Sequence, residues 1–363
     1  MNTIGSANQA RFFLATAPAT PWQQKLALVI GAAALVVFAV TVPFVQLPLA
    51  KMPAFIPAYE FALFFIDLVT AVLLFEQFVR LRLPAVLALA AGYLFDAFMI
   101  VPHALTFPGA FAPTGLLGAK SQTTAWLYVF WHGGFPLFVL AYAGLRRREG
   151  GAGTTKPGRA VIAAIAGIAV LVAALVLLTT WGHDWLPVIV QNGEYSLLVS
   201  KGISPAVWLL TLVAMLTLWQ RKQRIVDLWL MLVMWIWLFD IALSAVISSA
   251  RFDLGWYAGR IFGLIAASFL LITLLIEMAQ LYTGALGAAA EAERRFAELA
   301  RLRARPAEAP RGREKPEDFI LRQNVAHYRA LLESGNLDVA QRRSIETLLA
   351  EEEAKLAAAQ RES

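Results

Sequence analysis

The chain has no cysteine. Disulfides, thiolate metal centres and iron–sulfur clusters are thereby excluded. Histidine is scarce, four in 363 residues, so imidazole ligands are few. Charge is sparse too: Asp, Glu, Lys and Arg make up 15% of the chain, against roughly 25% in a soluble domain. No G-x-x-x-x-G-K-[ST], G-x-S-x-G or H-E-x-x-H occurs, so the common nucleotide-binding, hydrolase and zinc-protease signatures are missing. What fills the chain is apolar: 59% hydrophobic residues, including 23 Phe and 11 Trp. In long uninterrupted runs, that composition marks an all-α, polytopic membrane protein.

About 20 apolar residues cross the hydrocarbon core as a helix. Eight runs qualify, over residues 25–47, 58–79, 84–104, 122–145, 160–180, 203–220, 225–249 and 257–281. Pro53, Pro57, Pro84, the GGAGTTKPG stretch from Gly150, and Pro205 punctuate them. The first run exceeds the ~7–15 residues of a signal-peptide core, so it is expected to be a permanent span.

The formal charge of +6 belongs to this part of the chain, because the segment from Thr283 onward holds 14 Lys and Arg against 14 Asp and Glu. Twelve basic residues lie on one side of the expected spans: Arg11, Lys25, Arg80, Arg82, Arg146, Arg147, Arg148, Lys156, Arg159, Arg221, Lys222 and Arg224. Five lie on the other: Lys51, Lys120, Lys201, Arg251 and Arg260. The positive-inside rule then places both termini in the cytoplasm. Membrane lipid is the expected environment, and no nucleic-acid partner is implied.

Three central stretches are distinctive: FIPAYEFALFFIDLVTAVLLF from Phe55, AAGYLFDAFMIVPHALTFPGAFAPTGLLGA from Ala90, and QTTAWLYVFWHGGFPLFVLAYA from Gln122. Together they resemble the fourth type of membrane-associated sensor (MASE) domain, over roughly residues 20–280. The resemblance implies an integral-membrane input region of a bacterial signalling protein, usually followed by a diguanylate cyclase or histidine-kinase module. This chain departs from that pattern. It has no GGDEF or GGEEF, and the remaining tail is too short for a kinase ATP-binding domain. VAHYRALLE around His327 lacks the His-Glu pair and downstream Pro of a phospho-acceptor helix.

Ionisable residues at membrane depth are costly and need an explanation. Helical rise puts Asp67, Asp96 and His132 at roughly 13, 12 and 14 Å below one boundary, so they are expected to form one mid-membrane cluster. Glu60 and His103 form a second level at the periplasmic mouth. These five are the ligand-sensing candidates. Asp240 and Arg260 are expected to pair as a structural ion bridge. His103 and His132 differ by roughly 12–14 Å in rise, too much for one haem plane, so no cofactor or metal is implied. Trp126, Tyr128, Trp131, Trp181 and Trp185 read as interfacial anchors.

The expected division is a cytoplasmic N-terminal tail (1–24), a membrane sensor domain (25–281), a helical extension and linker (282–315), and an amphipathic helical hairpin (316–363). In the hairpin, Leu321, Val325, Tyr328 and Leu332 share one face, Gly335 suits a C-cap, and Asp338 with Gln341 suits a capping box. The whole reads as a non-enzymatic bacterial inner-membrane sensor whose residues 316–363 dock on a cytoplasmic output protein or on a second copy as a homodimer. A small-solute or proton-coupled transporter and a membrane haem or redox protein remain as alternatives. Reporter fusions at Gly153 and Asn192 should give cytoplasmic and periplasmic signals respectively. The same compartment for both would overturn the eight-span topology.

Overall fold

The computed structural model describes residues 17–52, 54–147, 156–191, 194–220, 224–248, 250–304, 316–333 and 338–361. The expected breaks at Pro53, 150–155 and 306–315, the Gly335 cap, Asn192, and Arg11, Arg148, Arg221 and Lys222 lie outside them. The chain divides into two units, Met1–Gly284 and Ala285–Ser363.

Among the described residues, eight helical segments are long and apolar enough to span a membrane, matching the eight runs, the sixth and seventh counted with their adjoining π-turns. They are α1 (Pro21–Thr41), α2 (Phe55–Leu81), α3 (Pro84–Thr106), α4 (Thr123–Arg146), α5 (Pro157–Thr180), α6 (Ser204–Trp219), α7 (Ile225–Ile241) and α8 (Leu254–Ala304). Local chemistry sets their starts. Pro21, Pro84, Pro157 and Pro205 occupy first turns, where a missing N–H costs nothing. Thr20 and Gln23 form a reciprocal capping box for α1. Arg82 ends α2 in the left-handed region (φ 55°), and Leu83 before Pro84 is extended, so α3 returns at once. Asp253 caps α8 by accepting from the Trp256 N–H at 2.7 Å, three residues before the expected start.

Burial separates the helices. In α3 and α7, 72% and 78% of the most apolar stretch is buried, against 6% in α1 and 11% in α5. The core therefore lies around α3 and α7, and α1 and α5 offer their sides to lipid. Single π-turns precede α6 (Val199–Ile203) and continue α7 (Ala242–Ile247). One end of the bundle is rich in connections, which we call the loop end. There the strap after α1 pairs with the start of α8: Leu49 N donates to Phe252 O, and Leu254 N to Leu47 O, both at 2.9 Å. Gln122 pins the α5–α6 connection, accepting from Ile189 N and Val190 N at 2.9 and 2.8 Å and donating to Val190 O at 2.7 Å. The opposite end carries Arg80, Arg82, Arg146, Arg147 and Arg224.

In the second unit, α9 (Pro316–Glu333) and α10 (Val339–Arg361) pack together. Arg329 bonds Glu353 at 2.6 Å and Asn324 bonds Glu352 at 3.2 Å. The expected capping box forms, with Gln341 N donating to Asp338 Oδ1 at 2.7 Å and Asp338 N to Gln341 Oε1 at 3.2 Å. Val325 is buried, but Leu348 stays 41% exposed. Hydrogen bonds from Lys355 and Asn324 hold the Glu352 carboxyl below its ordinary range.

Within the bundle, α8 runs against α7 along Gly255, Gly259 and Gly263, a small-residue seam that lets backbones approach. A Cβ at Gly259 would sit 2.8 Å from the Asp240 carbonyl oxygen, and one at Gly263 would sit 3.0 Å from Asp240 Oδ2. Gly259→Val should therefore destabilise the bundle by about 1–3 kcal/mol through overpacking. Gly167→Ala, which meets nothing within 4 Å, should not. Unfolding midpoints in detergent check the contrast, and equal midpoints would refute the seam.

Candidate functional site

Two antiparallel helices with equal spacing create two polar levels. Glu60 on α2 faces His103 on α3, with Oε1 and Nδ1 2.7 Å apart and both side chains buried. Seven residues further along α2 lies Asp67, and seven residues back along α3 lies Asp96. Two helical turns on each helix carry the same register to both pairs. Asp67 and Asp96 interact electrostatically with each other and with Tyr93. The Asp96 carboxyl faces the Trp131 indole N–H, and the buried Tyr93 hydroxyl has no hydrogen-bond partner among the described residues.

His132 does not join Asp67 and Asp96, contrary to the depth reading. Its Nε2 lies 3.4 Å from Asp240 Oδ2 on α7, and its Nδ1 lies 3.0 Å from the Tyr128 carbonyl oxygen. One ring nitrogen thus faces a backbone carbonyl and the other a carboxyl. Ser244 Oγ bonds the Asp240 carbonyl oxygen at 2.7 Å and Oδ1 at 3.1 Å, and meets the Tyr128 hydroxyl at 2.8 Å. The Tyr128 and His132 rings stack with centroids 3.8 Å apart.

The 12–14 Å separation expected between His103 and His132 is also wrong. The His103 ring lies 6.3 Å from Tyr128 and 5.7 Å from Trp131, and both of these contact His132. Side chains lean towards the N-terminus of their helix. With α3 rising to the loop end and α4 descending from it, the two imidazoles lean towards each other. Cα depths alone overstate the gap.

The Asp240–Arg260 ion bridge does not form. Among the described residues no carboxylate lies within 4 Å of the Arg260 guanidinium, which donates from Nη1 to the Trp256 carbonyl oxygen at 2.9 Å and lies 3.8 Å over the Trp256 ring. Asp240 instead faces the glycine seam. The aromatic reading also divides. Trp181 and Trp185 are exposed as anchors should be, but Trp126, Tyr128 and Trp131 pack inward, Trp126 donating to Pro187 O at 3.1 Å.

A family model for MASE4, described as membrane-associated sensor, integral membrane domain, matches residues 50–282. The chain belongs to the MASE4 family. The MASE4 match covers α2 to α7 and the membrane part of α8, and leaves α1 outside, although the resemblance reached back to about residue 20. It contains the Glu60–His103, Asp67–Asp96 and His132–Asp240 pairs. Membership makes the chain an integral-membrane sensor protein. No match was found among curated proteins or solved structures.

The MASE4 bundle holds a second polar layer, at the arginine-rich end, that sequence reasoning missed. Asp227, fully buried, pairs with Arg146, accepts from the Tyr142 hydroxyl at 2.7 Å, and accepts from Arg224 N at 2.7 Å. Gln77 on α2 donates to Glu277 on α8 at 2.7 Å, both buried. Arg146 had been read only as part of a topology-setting basic run. The available signal was Asp227 three residues after Arg224, a helix-start pattern. Arg146→Met strands the Asp227 charge and should cost about 3 kcal/mol, while Arg146→Met with Asp227→Leu should recover most of it. Equal loss in single and double variants, read by unfolding in detergent, would refute the pairing.

Proposed function

We propose that this MASE4 protein is a non-enzymatic sensor of a bacterial inner membrane, with both termini cytoplasmic. The stimulus acts on the loop-end cluster formed by Glu60, His103, His132 and Asp240, with the Asp67–Asp96 pair as a second responsive level. The twelve-to-five distribution of basic residues supports the orientation. Residues 283–363 carry no cyclase or kinase signature, and the paired helices α9 and α10 support a docking role for this segment. Residues 316–363 dock on that cytoplasmic partner or on a second copy of the chain.

One observation carries the reading. Asp240 is bonded to α7 and α4 while its carboxyl is wedged against the backbone of α8. Any change of charge or occupancy at the His132–Asp240 pair therefore bears directly on the helix that runs to Ala304. A stimulus shifts the equilibrium between two arrangements by its differential contacts with them.

The test is amide hydrogen exchange across residues 285–304 of the intact protein in lipid nanodiscs. Asp240→Asn and Glu60→Gln keep side-chain size and remove an ionisable charge, and exchange there should change in both. Unchanged exchange in both variants, with the bundle folded, would sink the route through α8.

A further inference from the structure

At the loop end lies a cavity of about 40 Å³, room for about three waters or one compact ion. Its wall includes Arg260, Arg251, His103, Thr124, Ser204 and Trp256 and, among the described residues, no carboxylate. Val199 from one π-turn and Ala245 from the other also line it, beneath the backbone of Ile189 and Val190 that Gln122 pins. The Arg260 and Arg251 guanidiniums and the His103 imidazole, itself bonded to Glu60, thus share a small enclosure.

Of the neighbouring acids, Glu60 bonds His103 through Oε1 at 2.7 Å while its Oε2 has no hydrogen-bond partner among the described residues, and Asp240 is held by Ser244 and His132. Arg260 is 6% exposed, yet its guanidinium turns away from Asp240. The geometry has a cause: a side chain on α8 leans towards the helix N-terminus, here the loop end. Of the five N–H donors on a guanidinium, the main-chain bond to Trp256 uses one. A buried cation without an anionic partner is expensive unless an anion reaches it.

We infer that this cavity binds a small oxyanion, a carboxylate or phosphate group, with Arg260 as its anchor. The planar guanidinium matches such groups through paired N–H donors, and its stacking on Trp256 holds the plane in position. The size of the cavity limits the occupant to a compact ion or the terminal group of a larger molecule. The inference names a ligand chemistry for the end of the bundle assigned above to sensing, and rests on that reading only for its role in signalling. Binding is measured apart from output, so failure of either is told from failure of the other.

The cysteine-free chain makes Ser204→Cys a single reporter in the cavity wall. An anionic sulfonatoethyl methanethiosulfonate should label it about tenfold faster than the cationic trimethylammonioethyl reagent. Acetate or inorganic phosphate should slow that labelling saturably, and the two ions separate carboxylate from phosphate preference. Adding Arg260→Gln should remove both the preference and the protection. Independently, the unfolding midpoint of the unmodified protein should rise saturably with acetate or phosphate, not with sodium chloride at equal ionic strength, and Arg260→Gln should abolish the rise. Should Ser204→Cys fail to insert, the midpoints decide alone. Equal or faster labelling by the cation, no labelling, no protection, or a midpoint shift that chloride reproduces would each overturn the site.

Discussion

A bare carboxylate inside a lipid-embedded bundle is among the costliest groups a protein can bury, and Asp240 is buried to 2% exposure in the last turn of α7, just before its π-turn. Satisfying it dictates its surroundings. Ser244 must sit one turn along the same helix, and His132 on α4 must turn towards α7. The third side of the carboxyl meets Gly259 and Gly263, where no side chain stands between it and the α8 backbone. A larger residue at either glycine would push α8 away and open Asp240. The carboxyl and the glycine seam thus require each other.

Lipid tails are as apolar as leucine, so burial of apolar surface does little to choose which helices meet. Specificity falls to small residues and to polar contacts, and this bundle stations the latter near both ends. Towards the loop end, Glu60–His103 joins α2 to α3, and His132–Asp240 joins α4 to α7. At the arginine-rich end, Arg146–Asp227 joins α4 to α7 again, and Gln77–Glu277 joins α2 to α8. Two separated contacts between the same pair of helices fix their register and their rotation. One contact would leave rotation free.

The spans were legible because length and hydropathy suffice to find them. The levels of Glu60–His103 and Asp67–Asp96 were legible because α2 and α3 are antiparallel neighbours, and equal depth there means proximity. His132 was misplaced because Cα depth carries neither azimuth nor side-chain lean: its ring faces α7 and reaches towards the loop end. Arg260 was misassigned for a related reason. It follows Gly259 in sequence, yet the lean of helical side chains sends its guanidinium past Asp240 towards the loop end. Asp227 and Glu277 escaped notice because they stand at the margins of apolar runs, where a charge reads as a boundary. Their partners, Arg146 and Gln77, lie on other helices that no local pattern connects.

Coupling between a site and a distant element needs an element that both can bias. Here α8 meets that condition by composition of its first turns. Asp253 caps it, Trp256 and Arg260 line the loop-end cavity, Gly259 and Gly263 take the Asp240 carboxyl, and Glu277 closes the far end against Gln77. A charge change at the loop end would meet this helix at several points at once, whereas α3 meets the loop-end cluster through His103. Packed interfaces shift between discrete arrangements rather than deforming smoothly. Of the two buried central helices and α8, then, α8 combines site contacts with continuation beyond the bundle, and a rotation or slide large enough to re-satisfy Asp240 would have to move it.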